Sequence, residues 1–306
     1  MDVLCFGEAL LDFFPERPGQ LLEDCERFTR HLGGAPCNVA VVLARLGVAV
    51  GLQTLVGKDA FGVFVRRQLA EEGVDVRGVG VHPTAKTGVT FVSVASDGKR
   101  GFLFFRHPSA DQMISVAEVD RALIGAARVF HLGSSTLAKE PSRAATFAAL
   151  DLAKAEGRII SCDPNWRGHL WDEPASPHLE RLVSACDILK VSDDEVETLC
   201  GTTDLTEGAT RLRALGCRLV VITLGARGCL FFSEAGDGEV PGRPVSVVDT
   251  TGAGDAFMAG LLAALPTSPS DWNVDAVLKA CTTANFYGAE ACTALGATTG
   301  ISRRLR

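Results

Sequence analysis

The chain has 306 residues, of which 47% are hydrophobic and 22% are charged, so it can build a large core and is not intrinsically disordered. Its formal net charge is −7, and acidic and basic residues are interspersed, which argues against nucleic acid as a partner. A short basic tail is interpreted as solvated terminal charge: Arg303, Arg304 and Arg306.

The N-terminus lacks the basic region, apolar stretch and cleavage site of a secretory signal. The longest apolar helical run, Ala256–Leu265, is far shorter than the ~20 residues of a membrane span. We therefore expect a cytoplasmic protein that does not bind a membrane. The 10 cysteines contain no Cys-x-x-Cys pair. Several lie in apolar runs, so we expect small buried side chains with neither a zinc site nor a required disulfide.

Short β-branched or apolar runs alternate with amphipathic helical patterns along the chain. The patterns predict strands at Val3–Phe6, Gly51–Val56, Val129–Leu132, Arg158–Cys162, Ile188–Val191 and Leu219–Thr223. They predict helices at Pro36–Leu46, Ala60–Glu72, Ser142–Glu156 and Val274–Ala289. Strands separated by helices indicate βαβ units, hence an α/β fold with a mainly parallel central sheet covered by helices on both faces.

One segment interrupts this alternation. Thr87–Ala95 and Gly101–Arg106, joined by the Gly-containing turn Ser96–Lys99, predict an antiparallel hairpin. A hairpin inside an α/β chain suggests a small extra sheet, and such attachments often cover an active site. Because the chain shows no internal repeat and no long linker, residues 1–306 are expected to form a single domain.

The most informative segment is Val245–Phe257. An apolar strand is predicted to end at Asp249, small residues make a turn at Gly252–Gly254, and Asp255 is predicted to begin a helix. The free N–H groups of a helix start, unobstructed by side chains at the glycines, form an anion site. A carboxylate placed there can also take a proton from a nearby hydroxyl. Together these features are the minimal apparatus for phosphoryl transfer.

The same segment allows other interpretations. Asp255 could be a helix cap or a partner of the helix dipole, and glycines before helices are common. A dinucleotide-binding fingerprint fails because Phe257 occupies the third glycine position, which argues against a nicotinamide dehydrogenase. The chain also lacks the P-loop motif Gly-x-x-x-x-Gly-Lys-Ser/Thr.

Two segments resemble the signature motifs of the ribokinase-like sugar kinases, the PfkB group. Asp249–Phe257 resembles the C-terminal signature, and Gly33–Gly47, which contains GGAPCNVA and LARLG, resembles the N-terminal one. The resemblance covers nearly the whole chain. It implies a kinase that uses ATP and Mg²⁺ to phosphorylate a sugar hydroxyl. It also implies a ribokinase-like fold with a small β-sheet lid formed from about residues 12–32 and 86–107.

The resemblance assigns the phosphoryl-transfer roles to the C-terminal motif. Asp255 matches the general base that activates the sugar hydroxyl. The backbone amides of Gly252, Ala253 and Gly254 match the anion hole for the charge that grows on the γ-phosphoryl group. This assignment agrees with the physics, because donors aimed at developing charge stabilise a transition state without reorganising.

The nucleotide site is also implied by the resemblance. The segment after the strand Leu219–Thr223 resembles the nucleotide loop of the family. The residues expected at ATP are Thr223, Gly225, Ala226 and Gly228, with Asn285 lining the nucleotide cleft. An ordinary hairpin into the strand Cys229–Phe232 is the alternative interpretation of this loop.

The resemblance implies two kinds of metal site. The family's Asn-x-x-Glu motif, linked to magnesium and phosphate, appears here as Ser192–Glu195, with Ser in place of Asn. Glu195 is the magnesium-linked residue in this scheme, and the alternative is that Ser192 only caps the helix Asp193–Leu199. Mg²⁺ keeps waters and borrows substrate phosphates, so few protein ligands are expected. A monovalent cation such as K⁺ would match Asp249, Thr251 and the carbonyls of Ala291, Ala294 and Gly296.

Four residues near the N-terminus fall where the family contacts sugar hydroxyls: Asp12, Gly33, Gly34 and Asn38. A carboxylate and an amide suit a neutral polyol. A solvated carboxylate at a strand end is the alternative for Asp12. Phe102–Asp111 resembles the lid segment of bacterial fructokinases in particular, with Phe104 shielding the sugar and Arg106 pointing into the cleft. Arg167, in a segment shared by fructokinases and 2-keto-3-deoxygluconate kinases, could neutralise phosphate or substrate charge.

The expected activity is transfer of the ATP γ-phosphoryl group to the 6-hydroxyl of D-fructose. Kinases for 2-keto-3-deoxygluconate or another sugar of the family remain alternatives, although Asp12 would repel a sugar acid that lies close to it. A sugar-sensing relative without activity should have lost the base or the anion hole, and both are present. A homodimer formed through the lid is left open.

Overall fold

The computed structural model describes residues 1–17, 19–94, 100–106, 108–172 and 174–302. Three features of the sequence analysis lie outside these residues: the predicted hairpin turn Ser96–Lys99, His107 of the lid segment, and the basic tail Arg303, Arg304 and Arg306.

Strands and helices alternate along most of the chain. The strands are β1 Val3–Phe6, β2 Leu10–Pro15, β3 Phe28–Gly33, β4 Val50–Gly57, β5 Val79–His82, β6 Val89–Val94, β7 Arg100–Phe105, β8 Val129–Leu132, β9 Ile159–Cys162, β10 Ile188–Ser192, β11 Leu219–Thr223, β12 Gly228–Ser233 and β13 Gly236–Pro241. The helices are α1 Ala35–Arg45, α2 Ala60–Glu72, α3 Arg121–Ala126, α4 Ser142–Ala155, α5 Ser176–Val183, α6 Asp193–Cys200, α7 Leu205–Ala214, α8 Ala253–Ala264 and α9 Val274–Ala291.

The larger sheet has the strand order β13-β12-β11-β10-β9-β8-β1-β4-β5. From β11 to β5 neighbouring strands are parallel, and β12 and β13 add an antiparallel edge. The predicted α/β class is confirmed. Because β1 pairs with β4 on one side and β8 on the other, the direction of the connections reverses at β1. Ligands of open α/β sheets bind at the carboxyl ends of the strands beside such a reversal.

Helices cover both faces of this sheet. Along β1, Val3 and Cys5 pack into the core shared with α1, α2, α8 and α9, whereas Leu4 and Phe6 pack into the core shared with α3 to α7. This two-residue alternation follows from the pleat of a strand. Full burial of a large apolar side chain such as Phe6 contributes roughly 1.5–3 kcal/mol, so a strand buried on both faces holds strongly to its register.

A second, smaller sheet has the order β3-β2-β6-β7 and is named the lid sheet after its predicted role. Strand β2 pairs antiparallel with β3 and parallel with β6, and β6 pairs antiparallel with β7, the hairpin that the sequence predicts. Aromatic rings hold the sheet together: Phe91 stacks on Phe13 with centroids 5.3 Å apart and meets Phe28 and Phe105 edge-on.

The segment before α8 differs from its prediction. Val245–Asp249 is irregular rather than a strand, and Val247 is 62% exposed. Pro244 lacks the N–H that a sheet ladder needs, and the N–H of Val248 donates to the carbonyl of Cys292 instead. The helix also begins earlier than predicted: α8 starts at Ala253, so Asp255 is its third residue rather than its first.

Candidate active site

Two cavities meet at the carboxyl ends of the parallel strands. The lid cavity, of about 200 Å³, lies under the lid sheet, and its walls include Glu8, Asp12, Asn38, Phe104, Arg106, Asp163, Arg167, Lys190 and Asp255. The loop cavity, of about 430 Å³, is mainly apolar and is lined by the β11–β12 loop, the segment before α8, and α9. Thr250 and Gly254 line both cavities, so a group bound in one can reach the other at this point.

The first turn of α8 forms the wall between the cavities. Its N-cap, Gly252, has a φ of 76°, a conformation that strongly favours glycine. A Cβ at this position would also lie 2.5 Å from the carbonyl oxygen of Ala297. The first-turn amides of a helix have no partner within the helix. One of the three predicted anion-hole donors is already engaged, because the N–H of Ala253 donates to the Thr250 carbonyl at 3.3 Å.

Asp255 is buried at the junction of the cavities. Asn38, from α1, donates through Nδ2 to Asp255 Oδ2 at 2.8 Å. Burial raises the pKa of Asp255 to about 7, and the charge of Asp163 also raises it, while Asn38 and Lys190 oppose the shift. A carboxylate with a pKa near neutral is well matched to general-base work, so the predicted base has the required environment.

Asp12, on β2, also lines the lid cavity. Burial, followed by the charge of Asp255, raises the pKa of Asp12 to about 7, while Arg106 opposes the shift. A solvated strand-end carboxylate is therefore the wrong interpretation, because Asp12 is 8% exposed. Gly33 does not line the cavity but packs behind Asp12, where any Cβ would collide with the carboxyl group.

Glu8 is a buried carboxyl of the lid cavity that the sequence analysis missed. Its Oε1 accepts the N–H of Ala35 at 3.1 Å, which caps α1 where Gly34 has no side chain to do so. Gly34 has a φ of 97°, and a Cβ there would lie 2.5 Å from the Glu8 carbonyl oxygen. Burial raises the pKa of Glu8, although Arg106 opposes the shift. No local sequence pattern marks this role, because Glu8 and Ala35 are 27 residues apart in the chain.

The lid supplies an aromatic ring and a cation. Phe104 lines the cavity and stacks on His169 with ring centroids 4.7 Å apart. Arg106 is 3% exposed, forms an ion pair with Asp111 and donates to Ser135 Oγ at 3.2 Å. The charge of Arg106 is therefore balanced inside the protein.

A buried ion pair between Lys190 and Asp163 was also missed. Lys190 Nζ donates to Asp163 Oδ2 at 2.8 Å, and Asp163 Oδ1 accepts the N–H of Asn165 at 3.2 Å. Arg167 lines the same cavity. Lys190 lies in the apolar run that predicts β10, and Asp163 follows β9, a different strand. The local sequence therefore shows the role of neither residue.

The predicted nucleotide-loop residues line the loop cavity: Thr223, Gly225, Ala226, Gly228 and Asn285. Gly225 and Gly228 have φ values of 57° and 104°, and a Cβ on Gly228 would collide with the backbone of β13. Asn285 Nδ2 donates to the carbonyls of Val240 and Pro241, both at 3.2 Å. The loop also joins β11 to the antiparallel strand β12, as the hairpin interpretation predicts. The two interpretations are therefore compatible, because the same hairpin loop lines the cavity.

Glu195 is the partner of Ser192 in a capping box at the start of α6. Its Oε2 accepts the N–H of Ser192 at 2.9 Å, and its Oε1 accepts the N–H of Trp166 at 2.8 Å. Both carboxylate oxygens are thus engaged by backbone donors, and Glu195 lines neither cavity. Among the described residues, no group of three His, Cys, Asp or Glu could hold a metal ion.

Two loops meet at Asp249, the residue predicted for a monovalent cation. Asp249 Oδ1 accepts from the N–H and the hydroxyl of Thr251, at 2.9 and 2.7 Å, and Oδ2 accepts from the N–H of Gly296 at 3.0 Å. This carboxylate ties the loop after α9 to the α8 turn. Ala291 ends α9, and Ala294 lies between it and Gly296. A carboxylate beside such turns is a donor set that suits a hard cation.

Comparisons with known proteins identify the family of the chain. The model of the pfkB family carbohydrate kinases matches residues 1–304. The chain belongs to the pfkB carbohydrate kinase family. It is 41% identical over 268 residues to a probable fructokinase-7 of Arabidopsis thaliana, covering 86% of this chain and 78% of that protein.

Two solved structures of the family show the same fold. One is a fructokinase double mutant from Vibrio cholerae O395 in its fructose, ADP and potassium ion bound form, with a TM-score of 0.89, 35% identity, and coverage of 99% of this chain and 96% of that one. The other is a putative ribokinase II from E. coli in complex with ATP and Mg²⁺, with a TM-score of 0.89, 30% identity, and the same coverage.

The pfkB kinase described here is therefore a phosphotransferase that acts on a sugar hydroxyl. All ten cysteines lie in the described residues and are free thiols. Among those residues, no helix combines the length and the apolar character needed to cross a bilayer.

Proposed function

We propose that the chain is an ATP-dependent fructokinase that converts D-fructose to fructose 6-phosphate. The meeting of the two cavities at Thr250 and Gly254, directly beside Asp255, carries the proposal. A phosphoryl donor in the loop cavity and a hydroxyl in the lid cavity would face each other there. The fructokinase relatives support fructose as the acceptor.

Each step follows from groups that the chain itself supplies. Asp12 and Asn38 bind sugar hydroxyls, and Phe104 and Arg106 close the cavity from the lid side, which excludes water that would otherwise accept the phosphoryl group. Asp255 takes the proton of the attacking hydroxyl. The free amides of the α8 turn stabilise the charge that grows on the phosphoryl oxygens.

We assign the nucleotide to the loop cavity and the cations to its edges. Thr223, Gly225, Ala226, Gly228 and Asn285 would hold ATP. Because Glu195 uses both oxygens on backbone donors, Mg²⁺ would be held mainly by phosphates and water, with Glu195 acting through a bound water. A K⁺ ion would lie near Asp249 and Thr251 and would stabilise the conformation of the turn that precedes α8. Bound Mg²⁺ would neutralise phosphate charge during transfer.

The acidic lining of the lid cavity favours a neutral sugar over a sugar acid. Glu8, Asp12 and Asp255 all face this small space, and the cation Arg106 is already balanced by Asp111. A carboxylate substrate such as 2-keto-3-deoxygluconate would meet like charge there. Two other cations line the cavity and would suit an acid, Arg167 and Lys190, but Lys190 is paired with Asp163. The buried base and the open anion site argue against a sensor without activity.

A substrate panel tests this proposal. Fructose, ribose, 2-keto-3-deoxygluconate and a nucleoside should each be assayed with Mg-ATP by coupled ADP release, and fructose is expected to give the highest kcat/KM. Asp12→Ala should lower kcat/KM for fructose by about 1–3 kcal/mol, roughly 5- to 150-fold, because a buried polar contact is lost. The control Asp237→Ala removes an exposed carboxylate of β13, outside both cavities, and should change nothing. Preference for 2-keto-3-deoxygluconate would overturn the fructose assignment.

We further propose that two chains pair through the outer face of the lid sheet. Leu103 and Phe105 of β7 are 50% and 59% exposed and, two residues apart on one strand, lie on the same face of the sheet. Light scattering should report a dimer, and Phe105→Asp should shift it to a monomer because the charge would be buried without a partner. Leu278→Asp, at an exposed apolar position on α9, is the matched control and should stay dimeric. A monomeric parent protein would contradict this prediction.

A further inference from the structure

Lys190 places a buried cation at the junction of the two cavities. It lies on β10, and its side chain and that of Asp163 are only 7% and 3% exposed. A Cβ built on Gly254 would lie 2.9 Å from Lys190 Nζ, so the ammonium lies against the first turn of α8. Lys190 also lines the lid cavity, and Gly254 lines both. A positive charge is thus held beside the free helix amides.

The surroundings of Lys190 keep it charged. Burial by itself would lower the pKa of Lys190, but the carboxylates of Asp163, Glu195 and Asp255 outweigh it and raise the pKa above its ordinary value. His131, on β8 two strands away from β10, adds no second positive charge, because burial and then the charge of Lys190 lower the pKa of His131 to about 3. The group is an ammonium at neutral pH.

A purely structural ion pair explains this arrangement poorly. Desolvation offsets most of the attraction within a buried pair, so such pairs stabilise a fold little. An ammonium also has three N–H donors, and within the described part of the chain Asp163 is the hydrogen-bond acceptor that it reaches. Donors therefore remain for a ligand in the cavity.

We propose that Lys190 is a catalytic residue of this kinase, whose ammonium binds the phosphoryl group in transfer, with Asp163 as its positioning residue. The inference rests on the proposed kinase function. A phosphoryl group that moves from the loop cavity to the lid cavity passes Gly254, and Lys190 Nζ is held at that point. A preorganised cation there stabilises the developing charge without reorganisation.

The transfer step balances without any proton from Lys190. The sugar hydroxyl oxygen forms a bond to the γ-phosphorus as the bond from that phosphorus to the β–γ bridging oxygen breaks. The electron pair of the broken bond stays with ADP, and the hydroxyl proton passes to Asp255. Lys190 keeps its protons throughout and acts as a hydrogen-bond donor and a positive charge on the equatorial phosphoryl oxygens.

The first test is turnover of Lys190→Met, which keeps the length of the side chain and removes its charge. Kinetics are measured on the high-pH plateau of the rate profile, where Asp255 is ionised in both proteins, so that an effect through Asp255 is excluded. We expect kcat to fall on the order of 10²–10³-fold, as for loss of one donor to developing charge. Lys139→Met is the matched control, because Lys139 pairs with Asp172 outside both cavities and should keep full turnover.

A second variant keeps the test valid if Lys190→Met does not fold. Removing one partner leaves Asp163 as an unpaired buried charge, whereas Lys190→Met with Asp163→Asn leaves a neutral pair of similar shape. The double variant should fold and show the same loss of kcat. A folded single or double variant with kcat within about threefold of the parent would overturn the inference.

A binding measurement separates this inference from the proposed function. Titration with ADP and aluminium fluoride, a mimic of the phosphoryl group in transfer, should show at least tenfold weaker binding to Lys190→Met, while ADP alone binds with unchanged affinity. Equal losses for both ligands, or no loss for either, would show a merely structural role. This measurement needs no sugar turnover. A parent protein that is inactive on fructose would therefore contradict the proposed substrate, and the binding result for Lys190 could still be interpreted.

Discussion

Replacing Asp255 with Asn is expected to lower kcat on the order of 10²–10⁴-fold while the KM values for sugar and ATP change far less. The substitution keeps the shape and the contact with Asn38, because the amide oxygen of Asn can accept from Asn38 Nδ2 as the carboxylate does. What it removes is the proton acceptor. Steady-state kinetics with varied fructose and varied Mg-ATP measure both effects.

The pH dependence provides a second readout for Asp255. With a pKa of about 7, kcat/KM of the parent protein should rise with pH and level off above neutrality, because only the ionised carboxylate is a base. Between the unfolded pKa near 4 and the folded pKa near 7, the folded state holds a proton that the unfolded state has lost, so this residue contributes less stability as pH rises. Asp255→Asn should therefore raise the melting temperature at pH 8.

An exposed aspartate provides the control for Asp255. Asp237→Asn, on β13, changes the same functional group outside both cavities and should leave kcat and the pH profile as they are. Near-full turnover of Asp255→Asn would refute the role of general base. A lower melting temperature at pH 8 would instead show that the carboxylate stabilises the fold.

Gly254→Ala is expected to abolish most turnover without unfolding the protein. A Cβ at this position would lie 2.9 Å from Lys190 Nζ and 3.8 Å from Asp163 Oδ2, inside the passage between the cavities. The contacted ammonium ends a flexible side chain and can shift, so folding should be nearly unaffected. The anion hole, however, loses its open approach. We expect kcat to fall on the order of 10²-fold or more, as for loss of one anion-hole donor.

A glycine in another helix is the control for Gly254. Gly125 lies in α3, and a Cβ there would meet nothing closer than Glu156 Oε2 at 3.9 Å, so Gly125→Ala should keep full turnover. Thermal melting of both variants separates loss of activity from loss of fold. If Gly254→Ala keeps kcat within about threefold, the assigned passage for the phosphoryl group is wrong.

The sequence by itself determined the α/β architecture and the family, and it predicted an anion site with a base. Alternation of strand and helix patterns predicted the parallel sheet, because a strand buried on both faces needs a continuous apolar run and helices to cover it. The Gly-Ala-Gly-Asp turn predicted an anion site with a base, because glycines leave the amides of a helix start open to a ligand. In the structure Gly252 has a φ of 76°, which strongly favours glycine, and Asp255 follows within one helical turn. Both signals are local in the chain.

Only the tertiary structure decided how charges combine across distant segments. Lys190 lies on β10 and Asp163 directly after β9, and Glu8 caps a helix 27 residues away, so no local pattern marks them. The pKa values near 7 for Asp12 and Asp255 arise mainly from burial. Nearby carboxylates raise them further, Asp255 for Asp12 and Asp163 for Asp255, and both causes depend on enclosure rather than on residue type. The motifs predicted which groups react, and the folding of those groups into one closed space set their electrostatics.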